Sequence, residues 1–311
     1  MKIIEKVLIT SNSSLIYAKV LLKNLSKDFR IKDFDFLEIA IMEIGTNILK
    51  HAKNGEIWFI DESGYIAIVG LDKGKGIKDI NWALENETSS LKDSLGIGLY
   101  TLKSNLNYFF EIFSIYEDFL LESGTIVGLF NFLNTQIYLN DAFYKEMSGD
   151  FLVKKDNFFF FGDVSGHGIK AYKSATKIKE FFLKSEISCD KIDSFFKKLD
   201  LFIKKNNLRS LVGVVFKEDK NFDFCGVGNI YLFANKKLIS FENGVIGEIF
   251  YKSKKISIKK GDIILISDGI DLKSFIKLLK YKVSFNLLPF CAVWFCGIRD
   301  DKSIFLRREN V

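Results

Sequence analysis

The amino-acid sequence predicts an α+β protein with two domains. A chain of 311 residues is long for one hydrophobic core, and its 48% hydrophobic and 27% charged residues are typical of a globular protein. Residues 138–311 combine two long consecutive helical patterns with many short apolar segments, which favours a β-sandwich flanked by helices. Residues 1–134 mix helical and strand patterns and form the other predicted domain. We expect the linker near residues 132–140, although this stretch is not rich in Pro, Gly or Ser.

The first domain begins with a strand and two helices, followed by a hairpin. Serine precedes the first helical pattern and caps it, and the second pattern has apolar residues at helical spacing. The predicted elements are a strand at 2–10, helices at 13–25 and 35–52, hairpin strands at 56–60 and 65–71, and a last strand from Gly124.

Polar and glycine motifs follow these elements in a fixed order. Glu43 and Asn47 are four residues apart and share a face of the second predicted helix, where a pair taken alone is most often just solvated. The hairpin ends in DKGKG at residues 72–76, LGIGL at 95–99 opens a helix, and GT at 124–125 begins the last strand. A single GxG motif is weak evidence for any one family, but the whole set of motifs in this order is specific.

Together these motifs resemble the GHKL ATPases, most closely the small serine kinases of bacterial partner-switching modules, over nearly all of residues 1–134. The resemblance implies an α/β sandwich, the Bergerat ATP-binding fold, with ATP and Mg²⁺ as ligands. By it, Asn47 would hold Mg²⁺, Glu43 would be the base for the attacking hydroxyl, and Asp72 would accept a hydrogen bond from the adenine amino group. The implied phosphate cradle and adenine pocket comprise Gly74, Gly76, Gly96, Gly98, Leu99 and Thr125.

That assignment is chemically coherent. Phosphoryl transfer requires a cation that bridges phosphates and a carboxylate near the nucleophile, and little else from the protein. Lys73 and Lys75 either add phosphate contacts or face solvent, and His51, one turn after Asn47, is expected to be structural.

Acidic residues follow apolar segments of the second domain. Four phenylalanines at 158–161, which suit a strand buried on both faces, lead into Gly162 and Asp163. Asp150, Asp268 and Asp300 lie in similar settings. Because a bare buried carboxylate is costly, and no Cys or His ligand pattern accompanies these four, they predict a site for a hard cation such as Mg²⁺ or Mn²⁺.

The motifs SGD, GDVSGHG, GVGN, SDG and DDxS resemble metal-dependent protein phosphatases of the SpoIIE type, within the type-2C class, over about residues 142–308. The resemblance implies an α-β-β-α sandwich and hydrolysis of phosphoserine or phosphothreonine by water activated between two metal ions. By it, Asp163 would bridge the metals with help from the Val164 carbonyl, and Asp150, Asp268 and Asp300 would complete the shells. His167 would protonate the leaving oxygen or only hold the turn, and Asp301 would support a ligand.

The remaining helices and strands of the second domain are predicted from hydrophobic periodicity and from the length of each segment. They are helices at 170–186, 193–206 and 273–279, and strands at 210–217, 221–224, 230–234, 237–241, 255–258, 262–266, 291–298 and 303–308.

Composition narrows the partners and the location. The four cysteines form no CxxC pair, and no stretch reads as a signal peptide or membrane span, so we expect free thiols and a cytoplasmic protein. The net charge of +6 comes from scattered lysines without a recognition motif, so nucleic acid is not an expected partner.

The combined hypothesis is a bifunctional signalling enzyme. One half would phosphorylate an STAS-domain anti-sigma antagonist and the other would dephosphorylate it, with a sigma factor or a second copy of the chain as further candidate partners. The alternative is an ATP-sensing, anti-sigma-like binding module that gates an attached phosphatase.

Overall fold

The structure is a computed structural model that describes residues 1–52, 54–85, 98–118, 121–142, 147–188, 191–219, 221–250, 252–259 and 261–308. Helices and strands are mixed, and the described residues form three five-stranded sheets whose neighbouring strands are all antiparallel. No helix in the described part of the chain has the length and apolar character needed to cross a membrane.

Two compact units divide the chain. The first comprises Met1–Asn134 together with Lys280–Phe295, and the second comprises Thr135–Leu279 together with Cys296–Val311. The chain first passes from one unit to the other after Asn134. Residues 280–295, which the sequence placed in the second domain, belong to the first unit.

The first unit contains one sheet with strand order β1-β2-β3-β5-β4. Its elements up to residue 134 are β1 (Lys2–Ile9), α1 (Asn12–Leu25), α2 (Phe34–His51), β2 (Gly55–Glu62), β3 (Tyr65–Asp72), α3 (Ile80–Glu85), α4 (Leu99–Ser104), β4 (Phe109–Ile115) and β5 (Gly124–Phe130).

Side-chain caps fix where the two long helices of this unit begin. The Ser11 hydroxyl accepts from the Ser14 backbone N–H and completes a capping box, and the Asp33 carboxylate accepts from the Phe36 N–H at 3.0 Å. Such caps satisfy N–H groups that have no partner within the helix. The helices then cover one face of the sheet, where Ile57 and Phe59 pack into the same buried cluster as α1 and α2.

The second unit contains two sheets, with strand orders β13-β10-β9-β8-β7 and β12-β11-β14-β15-β6. Its elements are β6 (Gln136–Asp141), β7 (Phe151–Lys155), β8 (Phe158–Val164), α5 (Gly168–Lys184), α6 (Ile192–Lys205), β9 (Leu211–Glu218), β10 (Asn221–Val227), β11 (Tyr231–Ala234), β12 (Lys237–Ile239), β13 (Lys254–Lys259), β14 (Ile263–Ile266), α7 (Leu272–Leu278) and β15 (Lys302–Arg307).

The phenylalanine run organises the layers of this unit. Phe159 and Phe161 point into a buried cluster with Phe305 and other residues of the facing sheet, whereas Phe160 contacts Phe182 of α5. Successive side chains of a strand face opposite ways, so β8 is buried on both sides, and that prediction is confirmed. With α7 on the outer face of the other sheet, the layers run helix, sheet, sheet, helix.

Residues 291–298 correct the sequence prediction. They were expected to form a strand, but Leu288–Cys296 is a helix, α8. A short apolar stretch without clear period does not distinguish a buried helix from a buried strand, and packing decides. The predicted linker at 132–140 is also wrong in part, because residues from Gln136 onward form β6, with Ile137 and Leu139 buried.

The segment 280–295 covers the face of the first sheet opposite α1 and α2. Trp58, which alternates with Ile57 and Phe59, contacts Phe290 and Trp294 edge-on, with ring centroids 6.0 and 6.4 Å apart. Other contacts on this face join Phe130 to Phe290 and Phe113 to Tyr281 and Phe295. The first unit therefore has three layers, and its third layer comes from a distant part of the chain.

Candidate functional site

The acidic residues of the second unit lie at the ends of strands from both sheets. Asp150 immediately precedes β7 and Asp163 lies near the end of β8, which pairs with β7. Asp268 follows β14, and Asp300 and Asp301 precede β15, which pairs with β14 in the other sheet. Each sheet thus contributes acids from two neighbouring strands.

These carboxyl groups meet in one buried cluster. The Asp163 carboxyl lies close to those of Asp150 and Asp268, and the Asp150 carboxyl also interacts with the hydroxyls of Ser267 and Ser303. The two serines are fixed by the sheet, since the Ser303 N–H donates to the Ser267 hydroxyl at 2.9 Å. The structure therefore brings together three of the four carboxylates that the sequence selected.

Burial dominates the electrostatics of this cluster. It raises the pKa of Asp163 well above the usual carboxyl value, and the negative charges of Asp150 and Asp268 raise it further. Burial likewise raises the pKa of Asp150; the Ser267 hydroxyl opposes the shift and the charge of Asp301 adds to it. Desolvated carboxyls this close together retain a proton or require a cation.

Asp300 and Asp301 occupy different environments despite being neighbours. Asp301 is 3% exposed, and its Oδ2 accepts from the Gly149 N–H at 2.6 Å, which fixes the backbone beside Asp150. Asp300 is partly exposed, accepts from the Asp301 N–H at 2.8 Å, and lies 3.9 Å from the His167 Nδ1. Asp300 and His167 therefore stand at the solvent-facing rim of the cluster.

The donor set suits a hard divalent cation. Among the described residues, Asp150 Oδ2 is buried without a hydrogen-bond partner, which leaves a lone pair for a ligand. A Cβ on Gly149 would come within 2.9 Å of the Val164 carbonyl oxygen and 3.2 Å of that of Gly166, so carbonyls crowd this position. All these donors are oxygens, the ligands that Mg²⁺ and Mn²⁺ prefer.

In the structure the carboxyl groups of Asp150, Asp163 and Asp268 interact with one another. Within the part of the chain that is described, no three Asp, Glu, His or Cys side chains are grouped so that they could hold one ion by themselves. Asp150, Asp163 and Asp268 would hold it with the Val164 carbonyl and water. Bound ions would supply the positive charge that keeps these carboxylates ionised and lowers the pKa of water.

In the first unit, Asp72 lies at the end of β3, braced by backbone donors. Its Oδ1 accepts from the N–H groups of Gly74 at 2.8 Å and Thr125 at 3.3 Å. Burial raises the pKa of Asp72, and these two hydrogen bonds oppose the shift. The Thr125 hydroxyl is 3.0 Å from that of Ser114, which sequence reasoning did not select.

Glu43 and Asn47 are half-buried one turn apart on α2. Burial raises the pKa of Glu43, opposed by the charge of Lys50. A Cβ on Gly74 would lie 2.9 Å from the His51 carbonyl oxygen, so the loop after β3 packs against the end of α2. The loop that carries Asp72 and the helix that carries Glu43 and Asn47 are thus adjacent, as a shared site requires.

The selected glycines divide into two groups. Gly76 has φ of +77°, and a Cβ there would come within 2.1 Å of the Ile115 carbonyl oxygen, so only glycine fits this turn. A Cβ on Gly98 would meet no atom of the described residues within 4 Å. Leu99 packs against the hydrophobic core, which accounts for it without a ligand, and Gly96 lies outside the described residues.

Trp294 is a residue of this region that the sequence did not reveal. Its indole Nε1 donates to the Asp72 carbonyl oxygen at 3.0 Å. Nothing in a sequence motif connects the two positions, because the contact depends on the return of residues 280–295 to the first unit.

Comparison with known proteins gives low similarities. No family model and no curated protein matches the chain. Among solved structures, a chain from the bacterial stressosome has a TM-score of 0.46 and 20% identity, covering 56% of this chain and 98% of its own. RsbX in complex with magnesium has 0.44 and 19%, covering 64% and 99%. The catalytic domain of the serine/threonine protein phosphatase PstP, in complex with two manganese ions, has 0.42 and 11%, covering 56% and 97%.

Proposed function

We propose that the second unit is a metal-dependent phosphatase that hydrolyses phosphoserine or phosphothreonine in a protein. The observation that supports this most is that Asp150, Asp163 and Asp268, which come from two different sheets, meet in one buried cluster. Structural ion pairs normally join opposite charges, whereas a buried cluster of three carboxylates is typical of a metal site.

Each residue has a distinct task in this proposal. Asp163 interacts with both of the other acids and would hold the metal with them, while Asp301 keeps the Gly149 backbone, and with it Asp150, in place. His167 stands at the exposed rim beside Asp300, where a protein substrate reaches it. There it donates a proton to the departing seryl or threonyl oxygen, or else it only holds the turn before α5.

The test is hydrolysis by the full chain. Purified protein with Mn²⁺ should hydrolyse p-nitrophenyl phosphate and release phosphate from phosphoserine peptides of STAS domains, and EDTA should abolish both activities. If both substrates remain untouched at saturating Mn²⁺, the phosphatase proposal is wrong.

For the first unit we propose ATP binding and phosphorylation of a serine or threonine on an STAS-type anti-sigma antagonist, the same protein that the second unit would dephosphorylate. In this proposal Asp72 accepts a hydrogen bond from the adenine amino group. Asn47 holds Mg²⁺, and Glu43 accepts the proton of the attacking hydroxyl. The support is the adjacency of the Asp72 loop and α2 together with the raised pKa of Glu43, which is suited to a base. A sigma factor and a second copy of the chain are further candidate partners.

The alternative function is an ATP-sensing binding module that gates the attached phosphatase. It is favoured by the bond from Trp294 to the Asp72 backbone, because that bond joins the proposed adenine site to residues 280–295 of the same unit. The variant Glu43→Ala separates the two. Loss of phosphorylation with retained ATP binding supports a kinase, whereas no phosphorylation even by the unaltered chain supports a binding module.

A further inference from the structure

Two side-chain oxygens beside the acidic cluster lack the hydrogen-bond partners that buried polar atoms normally have. Among the described residues, the buried side-chain atoms without a partner are Asn131 Oδ1, Asn140 Oδ1, Asp150 Oδ2 and Ser188 Oγ. Two of these four belong to residues that contact each other, because the Asn140 amide nitrogen donates to the Asp150 backbone carbonyl at 2.9 Å. Since buried polar groups are nearly always hydrogen-bonded, two such oxygens on neighbouring residues indicate a ligand at this place.

The contacts of Asn140 determine which way its amide points. The Asp150 carbonyl oxygen can only accept a hydrogen bond, so the atom that faces it must be the Asn140 nitrogen. The same nitrogen donates to the Tyr138 hydroxyl at 3.1 Å. Exchanging the oxygen and the nitrogen of the amide would place two oxygens against each other. The orientation of Asn140 Oδ1 is therefore fixed by the residues around it and is not an arbitrary choice between two equivalent positions.

Strand pairing places Asn140 on the face of β6 that approaches Asp150. Asn140 is paired with Ser303 of β15, and the Ser303 hydroxyl interacts with the Asp150 carboxyl. Tyr138, two residues earlier on the same face of β6, lies 3.2 Å from the Ser303 hydroxyl through its own hydroxyl. Residues directly opposite each other in antiparallel strands have their side chains on one face of the sheet. Asn140 and Ser303 thus approach Asp150 from the same sheet.

A purely structural role accounts for the nitrogen of Asn140 but not for its oxygen. The nitrogen holds the Asp150 backbone, as Asp301 holds that of Gly149. The oxygen is an acceptor that no described residue satisfies, and it lies beside a carboxylate that is only 4% exposed and has its own unpartnered oxygen. Water bound to a divalent cation is a suitable donor, because Mg²⁺ usually keeps several waters and carboxylates supply its remaining ligands.

We propose that Asn140 belongs to the cation site as a positioning residue, with its amide oxygen accepting a hydrogen bond from a water of the ion's hydration shell. The inference rests on the proposed function of the second unit and adds a residue to its metal site. Sequence analysis did not select Asn140, because it lies at the end of the predicted linker, ten residues before Asp150. The pairing of β6 with β15 brings it to the cluster.

The test is the affinity of the full chain for Mn²⁺, without nucleotide or substrate. It is measured by titration calorimetry and, independently, by electron paramagnetic resonance of the unbound ion. Asn140→Leu keeps the shape of the side chain but has no polar atom. We expect it to bind Mn²⁺ about 10–100-fold more weakly, the usual effect of losing an outer partner of a metal site.

Asn140→Asp separates the two atoms of the amide. The carboxylate cannot donate to the Asp150 carbonyl, but it keeps an acceptor oxygen and adds negative charge. We expect it to bind Mn²⁺ at least as tightly as the unaltered chain does. A loss of affinity in Asn140→Asp as large as that in Asn140→Leu would show that only the nitrogen matters, and the proposal would be wrong.

Gln136→Leu is the matched control. Gln136 is exposed at the other end of β6, where it is paired with Arg307, and its replacement should leave the affinity for Mn²⁺ unchanged. If Asn140→Leu does not fold, Asn140→Ala removes the same oxygen with less bulk and should weaken Mn²⁺ binding as well. Undiminished affinity in whichever of these two Asn140 variants folds would overturn the assignment.

Failure of this inference is distinguishable from failure of the proposed function. If the unaltered chain binds no Mn²⁺, the metal site and the phosphatase proposal are both wrong, and the role of Asn140 is refuted with them. If the unaltered chain binds Mn²⁺ and hydrolyses phosphoserine peptides while Asn140→Leu binds Mn²⁺ equally well, the phosphatase proposal stands and only Asn140 is removed from the site.

Discussion

Asp163 is the residue on which the second site depends most. Its carboxyl interacts with those of both Asp150 and Asp268, so it is the member that both neighbours share. Three carboxyls in one desolvated place are costly in the folded chain when ionised. Such an arrangement is favourable only when protons or cations accompany it, so under the proposed function the same residues bear on both activity and stability.

Asp163→Asn should therefore lower phosphatase activity by more than the roughly 10–100-fold typical of losing an outer partner of a ligand. The amide is isosteric but binds a divalent cation poorly, so the fold should be retained. Steady-state hydrolysis of p-nitrophenyl phosphate across a Mn²⁺ series measures the loss. Asp156→Asn, in the exposed turn between β7 and β8, is the matched control and should retain full activity. Equal activity in the two variants would contradict the ligand assignment.

Asp150 provides a test through pH. Its pKa in the folded chain is raised by burial, so the metal-free folded state binds more protons than the unfolded state above the ordinary carboxyl pKa of about 4. Stability of the metal-free chain should then fall as the pH rises above that value. The depressed pKa values of Asp193 and Asp271 act in the opposite sense, but their stabilisation is lost only as the pH falls below about 4, so they do not mask the effect.

The measurement is the melting temperature in EDTA at about pH 5 and about pH 8. We expect a decrease for the unaltered chain, a smaller decrease for Asp150→Asn, and recovery at the higher pH when Mg²⁺ is added to the unaltered chain only. A decrease in Asp150→Asn as large as that in the unaltered chain would show that this carboxyl is not buried in the way described.

At the scale of elements, the loop after β3 is fixed by backbone crowding. A Cβ on Gly124, the first residue of β5, would come within 2.1 Å of the Asp72 carbonyl oxygen, the atom that accepts from Trp294. For Gly98, at the start of α4, no described residue lies within 4 Å of an added Cβ. Gly124 is thus required by the fold, whereas the proposed nucleotide site accounts for Gly98.

Substitution of these two glycines should separate stability from binding. Gly98→Val should leave the melting temperature nearly unchanged and abolish ATP binding, because the side chain enters space that the nucleotide's phosphates require. Gly124→Val should destabilise the first unit by about 1–3 kcal/mol, the usual cost of overpacking. Calorimetric titration with ATP and thermal unfolding measure the two effects. Normal ATP affinity in Gly98→Val would remove this glycine from the proposed site.

The elements that the sequence predicted well are those whose pattern is local. The helices α1 and α2 were predicted from a capping serine or aspartate followed by apolar residues at helical spacing. The strand β8 was predicted from four successive phenylalanines. The acids were found because each follows an apolar segment. The helix α8 was missed because its residues are apolar on all sides, so that no period distinguishes it from a strand. Its partners, Trp58 and Phe130, are more than a hundred residues away.

At the scale of the molecule, the first unit is discontinuous in sequence. Its sheet is formed before residue 134, but one face is covered only when residues 280–295 return to it. Trp58 is 1% exposed and Phe130 is fully buried in the complete chain, and both contact Phe290 of that segment. The boundary near residue 134 therefore separates two stretches of sequence but does not separate two independent folding units.

A chain ending at residue 134 should consequently be unstable or self-associating. Without residues 280–295, Trp58, Phe113 and Phe130 lose their aromatic partners, and exposing a buried side chain of this size costs up to about 1.5–3 kcal/mol. An apolar face left open in this way promotes association. Light scattering and binding of a hydrophobic dye should show association of the fragment, and adding a synthetic 280–295 peptide should raise its melting temperature. The same peptide with Phe290 and Trp294 both replaced by alanine is the control and should have little effect, since it lacks the rings that cover Trp58. A monomeric 1–134 fragment as stable as the full chain would mean that the third layer is dispensable for the stability of the first unit.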